Sequence, residues 1–399
     1  MTQRLLKYRI YRKVTMIALF GILGCVKPFP TETLDFEDMM VVEATITNEE
    51  KTQQIFLSRT YPLEIDSIIP ESGAAIQITG GEQIYTFSES SPGVYISDQE
   101  FGAQPETEYQ LQITKNGNTY HSNNVRLPQV TRIDGLKAES IVDENGEAMA
   151  IFVDSYDPTG NSRNYRYEYV ETFRIVAPYY REKDLIVPNE NSCGVELVND
   201  EWSVKECFMT DYSNTIIQYS TSNLTDDNVE RFMVRRIAKD NFIIAHRYSI
   251  LVRQFVQTNE AFAYYEALHT FSGQESVFSG SQPGFLQGNI TSDTNPDEKI
   301  VGYFDISSVS KKRIFFNYND FFNGNSSSSY TENCDSYAPL ISEGNRCFLS
   351  ELINFNAIRY LEDNKNYTPG LDGPYRVVPR ICGDCSVVGE VETPDFWIE

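Results

Sequence analysis

Glu108-Tyr109-Gln110-Leu111-Gln112-Ile113-Thr114-Lys115-Asn116-Gly117-Asn118-Thr119-Tyr120 reads as two strands and the turn between them. Tyr109, Leu111 and Ile113 alternate with polar residues, so a period of two puts them on one face. Asn116-Gly117 is the pair that a two-residue type I′ hairpin turn asks for, and Tyr120 resumes the apolar face beyond it. Outward from this hairpin the same grammar repeats. Val42, Ala44 and Ile46 alternate, Ile55 and Leu57 follow, and Ile76 and Ile78 lead through Gly80-Gly81 to Ile84. Short strands with a turn cluster between each pair predict an immunoglobulin-like β-sandwich over 39–128, closed by Pro128.

A larger β-rich domain is expected over 129–399. Ser140 to Val142 and Met149 to Val153 flank Asn145-Gly146, and Tyr165 to Ile175 reads as a long aromatic strand. Residues 177–232 are polar and irregular; Ile243 to Val256, Ile300 to Ile306 and Arg313 to Tyr318 return to strand character. One helix stands out near 258–272. Ala261, Tyr264, Tyr265, Leu268 and Phe271 recur at helical spacing, Thr258-Asn259 supplies an N-cap, and Gly273 a stop. The fold class read here is mainly β, with 25 Tyr and 24 Phe in keeping with strands.

The N-terminus sets the expected address. Arg4, Lys7, Arg9, Arg12 and Lys13 precede an apolar run, Val14 to Leu23, that is far shorter than the roughly 20 residues a bilayer span needs. It reads as a signal peptide over 1–24. Ile22-Leu23-Gly24-Cys25 is similar to a bacterial lipobox, which makes Cys25 the lipidated first residue of the mature chain. Acyl chains anchor a protein without a transmembrane helix. Residues 25–38, with Pro28, Pro30 and four acidic positions, read as a lipidated tether. The formal charge is −24. An anionic surface cannot release phosphate counterions, so nucleic acid is not an expected partner.

Cys193, Cys207, Cys334, Cys347, Cys382 and Cys385 remain, an even number in an exported chain. That points to disulfide-stapled loops. Sequence order suggests Cys193–Cys207, Cys334–Cys347 and Cys382–Cys385, among about 15 connectivities open to six cysteines. Cys382-Gly383-Asp384-Cys385 has no thioredoxin-like setting, and the cysteine spacings do not suit zinc. His121, His246 and His269 form no metal-spaced pair, so no metal site is expected from them. Asp293, Asn295 and Asp297 alternate as calcium ligands would, but Glu298 and Pro296 break the EF-hand pattern, leaving only a weak calcium reading and otherwise no cofactor. Ser281 lacks nucleophile-elbow spacing and reads as a loop residue. Phe396 and Trp397 near the chain end either dock onto the protein or contact a partner.

The lipobox, Val41-Val42-Glu43-Ala44, Leu57-Ser58-Arg59-Thr60, Ser91-Pro92-Gly93-Val94-Tyr95, the helix, and Gln282-Pro283 to Gly288-Asn289-Ile290 occur in order. Val301-Gly302-Tyr303-Phe304, Lys312-Arg313-Ile314-Phe315, Cys382-Gly383-Asp384-Cys385 and Pro394-Asp395-Phe396-Trp397 follow. Together they resemble the bacterial lipoproteins grouped as domain of unknown function 4249. The resemblance implies an outer-membrane lipoprotein of a Gram-negative bacterium, of a kind often encoded beside a TonB-dependent transporter. It brings no catalytic residues. Val26-Lys27-Pro28, in place of acidic residues after the cysteine, leaves the periplasmic and cell-surface faces both open.

The expected function is therefore non-enzymatic: an accessory or ligand-capture subunit of a TonB-dependent transporter or similar outer-membrane complex. An assembly subunit without its own ligand is the alternative. A hydrolase is a further one, which a pocket with two facing carboxylates about 5–9.5 Å apart would favour.

Overall fold

The computed structural model describes residues 38–61, 67–189, 193–272, 286–324, 326 and 328–399. The signal segment, Cys25, the tether up to residue 37, Gly273, Ser281 and Gln282-Pro283 lie outside these residues. Within them the chain is mainly β. The opening hairpin forms as read: Glu108–Lys115 pairs with Asn118–Ser122, and Asn116 and Gly117 both take positive φ (51° and 83°), as type I′ requires. Tyr109, Leu111, Ile113 and Tyr120 are all buried in one core.

The strands around that core do not separate into the two facing sheets of an immunoglobulin-like sandwich. They hydrogen-bond along one path: residues 300–307, Met40–Thr47, Gln54–Arg59, Val94–Ser97, Gln83–Ser91, Ala75–Gly80, Glu108–Lys115, Asn118–Ser122 and Ile290–Ser292. Asn289 brings the two ends together. Its main-chain oxygen accepts from the Asn123 N–H at 2.9 Å, while its amide side chain exchanges two 2.8 Å hydrogen bonds with the backbone of Phe304. The side chain thus stands in for a peptide unit, and the sheet curls into a closed wall. Closure satisfies edge groups that would otherwise template aggregation. It also moves the boundary expected at 128: Ile290, Ile300, Phe304 and Ile306 complete the first core from far downstream.

A two-sheet sandwich does occur, but in the second unit. Gly135–Asp143, Gly146–Asp157 and Asp227–Ala238 form a three-stranded sheet. Facing it are Glu206–Tyr212, Asn164–Val176, Arg247–Val256 and the far half of Ile300–Asn317. Met149, Ile151, Val153, Val229 and Ile237 pack against Tyr165, Tyr167, Phe173, Ile250 and Val252. The 18-residue strand Ile300–Asn317 is shared: its first half pairs in parallel with Met40–Thr47, its second half antiparallel with Arg247–Val256.

An ion cluster pins this crossover. Glu49 meets Arg253 at 2.6 Å, Lys311 at 3.1 Å and Lys51 at 3.2 Å, and Asn48 Oδ1 accepts from the Val309 N–H at 2.6 Å. Burial alone would raise the Glu49 pKa, but Arg253, Lys311 and Lys51 outweigh it and hold the carboxyl at about 2. A depressed carboxylate contributes stability above its unfolded pKa that is lost as pH falls through the folded value. Glu49→Gln is therefore expected to be less stable than the wild type at pH 7, with the gap closing between about pH 4.5 and 2. Urea unfolding at pH 7 and pH 3 measures it, and an unchanged gap would count against the cluster.

The cysteine-bearing region departs from sequence order. The bridges are Cys193–Cys347, Cys207–Cys385 and Cys334–Cys382, so none of the three local pairings forms. Packing explains why. The hairpin Lys183–Ile186/Glu196–Asn199 shares a small core with the helix Phe348–Asn354 and the strands Ile358–Asp363 and Tyr375–Pro379, through Leu185, Leu349, Ile358 and Val377. That brings Cys193 to Cys347, whereas Cys382 and Cys385 sit in successive short helical turns and take different partners.

Phe396 and Trp397 dock on the chain itself. The Trp397 ring lies 4.9 Å from Phe208 and 5.8 Å from Phe315, and the Arg313 guanidinium sits 3.6 Å from the centre of Phe396. The tail straps the sheet face turned away from the sandwich core.

Candidate functional site

The helix Asn259–Ser272 starts as the sequence suggests, with Thr258 Oγ1 accepting from the Ala261 N–H at 3.1 Å. It packs over the parallel seam: Ala261 and Tyr264 are buried against Tyr303, and the Tyr264 and Tyr303 rings are 5.0 Å apart. Beside it opens a cleft of about 630 Å³, within the ordinary range of small-molecule sites. Glu43, Thr45 and Tyr303 come from the seam, Phe56 and Lys51 from the next strand and its turn, and Tyr264, Tyr265 and Leu268 from the helix.

Arg166 and Glu168 supply the remaining wall. On the strand Asn164–Val176, Tyr165, Tyr167 and Tyr169 enter the sandwich core, so period two turns residues 166 and 168 to the opposite face. Arg166 Nη1 donates to the Glu168 carboxylate, and its guanidinium lies 4.3 Å from the Phe255 ring centre and 5.0 Å from that of Tyr265. Glu168 is also 3.6 Å from Arg253. Burial acts to lower the Arg166 pKa, but Tyr265, Glu168 and Asp305 more than offset it, so the guanidinium stays charged. A second cavity of about 400 Å³ also has Arg166, Glu168 and Tyr265 in its lining.

Asp305 is fully buried behind this wall. Its Oδ2 accepts from Ser307 Oγ at 2.6 Å and Gln257 Nε2 at 3.4 Å. Burial raises its pKa, against the opposing pull of Ser307 and Arg166. Its Oδ1 and the Arg166 Nε are both buried without a hydrogen-bond partner among the described residues.

Other sequence candidates do not converge on this place. His121 pairs with Asp293 at 2.8 Å, and the 293–298 loop closes on itself through Asn295 and Glu298. No group of three His, Cys, Asp or Glu able to hold a metal occurs among the described residues. Nor is any described helix long and apolar enough to cross a membrane. Arg166 and Glu168 are missed by motif reading, although two charges at i and i+2 in an otherwise aromatic strand mark a polar strip. Glu43 and Tyr303, by contrast, sit inside stretches that carry the family resemblance, Val41-Val42-Glu43-Ala44 and Val301-Gly302-Tyr303-Phe304.

A family profile matches residues 26–313, which take in the first unit, all but the end of the last sandwich strand, and every residue of the cleft. The chain belongs to that family, Domain of unknown function (DUF4249). The family match ends within the shared long strand, so the region carrying Cys334, Cys347, Cys382 and Cys385 lies beyond it. No curated protein matches the chain.

Proposed function

We propose that this family member is a lipid-anchored outer-membrane protein, held through Cys25, that captures a small ligand as the accessory subunit of a TonB-dependent transporter. The cleft carries this reading. It lies where two β units and a helix meet, is walled by aromatic rings, and holds a few fixed polar groups, as binding sites do. Glu168 is committed to two guanidiniums rather than free to pass a proton to a leaving group, which supports capture over hydrolysis. The signal segment and lipobox supply the anchor, and family resemblance supplies the transporter.

Purifying the tagged full chain in mild detergent, with mass spectrometry of what accompanies it, tests the reading. The wild type is expected to carry an outer-membrane transporter, and Cys25→Ala to shift to the soluble fraction and lose it. Recovery of free monomer alone, or continued membrane retention of Cys25→Ala, overturns it.

A further inference from the structure

Resting on the capture reading, we infer that the ligand class is a neutral carbohydrate. The cleft's charges set the terms. An anionic ligand would face the Glu43 and Glu168 carboxylates, and a cationic one the Arg166 guanidinium and the Lys51 ammonium. A hydroxyl is different, because it donates and accepts at once. Arg166 and Glu168 stand side by side as donor and acceptor, so adjacent hydroxyls on one ring can accept from the guanidinium and donate to the carboxylate.

The buried layer beneath repeats that pattern. Arg166 Nε–H is a buried donor and Asp305 Oδ1 a buried acceptor, each without a hydrogen-bond partner among the described residues, and both residues are more than nine-tenths buried. A water or hydroxyl can accept from the one or donate to the other, whereas a carboxylate could serve only the donor and an ammonium only the acceptor. Rings complete the match. Phe56 lines the cleft while 42% exposed, an uncovered aromatic, and the partly buried Tyr265 lines it too. The electron-rich face of an aromatic attracts the slightly positive C–H face of a sugar ring. A cavity of about 630 Å³ has room for a sugar segment.

Calorimetric titration of the full chain, in a detergent whose headgroup is not a sugar, tests this. The probes are hexasaccharides of glucose (α- and β-linked), xylose and mannose, against oligogalacturonate and chitosan oligomers as acidic and basic controls. At least one neutral probe is expected to bind with a Kd of about 1 mM or tighter, and the charged probes to bind at least about tenfold more weakly. Phe56→Ala and Arg166→Gln are each expected to weaken the neutral probe by about tenfold or more. Phe56 is exposed, so its variant is expected to keep the wild-type melting profile even where Arg166→Gln unfolds. Failure of every neutral probe, stronger binding of a charged one, or full affinity in folded Phe56→Ala overturns the assignment. Co-purification is read separately: partner recovery without sugar binding sinks only this inference, and sugar binding by a partnerless monomer sinks only the earlier one.

Discussion

Replacing Cys207 and Cys385 together by Ala is expected to destabilise the protein by about 3–4 kcal/mol. The two residues are 178 positions apart, yet the relevant loop is shorter. With Cys193–Cys347 and Cys334–Cys382 intact, the unfolded chain still connects 207 to 385 by a covalent path of about 30 residues, and loop entropy grows only logarithmically with that length. Both cysteines are fully buried in the sandwich core, so the alanines also leave space behind. Reduction of all three bridges removes the short-cuts as well. The small core around Leu185, Leu349, Ile358 and Val377 has little apolar area to hold the cysteine-rich region without them. Guanidinium unfolding of the double variant, and limited proteolysis of wild type with and without reductant, read these effects. An unchanged midpoint, or a reduced protein that resists cleavage after residue 330, would contradict the bridges.

What could be read from the sequence was local. Tyr109, Leu111, Ile113 and Asn116-Gly117 specify their hairpin because alternation and turn chemistry act within a dozen residues. Helix Asn259–Ser272 was legible for the same reason, through its apolar spacing and Thr258. Pairing of Met40–Thr47 with 300–307 leaves no such trace, since register between distant parallel strands depends on the whole wall. The two-sheet sandwich lies in the second unit rather than over 39–128, and half of Asp227–Ala238, one of its strands, falls in the polar stretch 177–232. Val229, Val234 and Ile237 enter the core, while a bulged register breaks simple alternation. Cysteine order misled because proximity along the chain is not proximity between packed hairpins. Half of the cleft was within reach, through Tyr264, Tyr265, Glu43 and Tyr303; Arg166 and Glu168 acquire meaning only when Tyr165 and Tyr167 are known to face inward.

The seam beneath the cleft gives the other large effect. Gly302 has φ of +119°, a conformation essentially confined to glycine, and a Cβ there would collide with the Val42 carbonyl oxygen. Val42 cannot retreat, being fully buried and paired on its other side with Leu57. Gly288 lies close enough to the Gly302 carbonyl that a Cβ on it would collide with that oxygen too. Gly302→Ala must therefore either accept strain of about 1–3 kcal/mol together with the collision, or part the parallel pair and loosen Ile300, Phe304 and Ile306 from the first core. Either route is expected to cost about 3–5 kcal/mol. Gly117→Ala is the matched control, because Gly117 also has positive φ but nothing lies within 4 Å of its added carbon. Its cost should stay near 1 kcal/mol. Urea unfolding of the two variants side by side measures the difference. Equal losses would mean that the long strand does not lie against Met40–Thr47, and with that contact would go both the closed wall and the floor of the cleft.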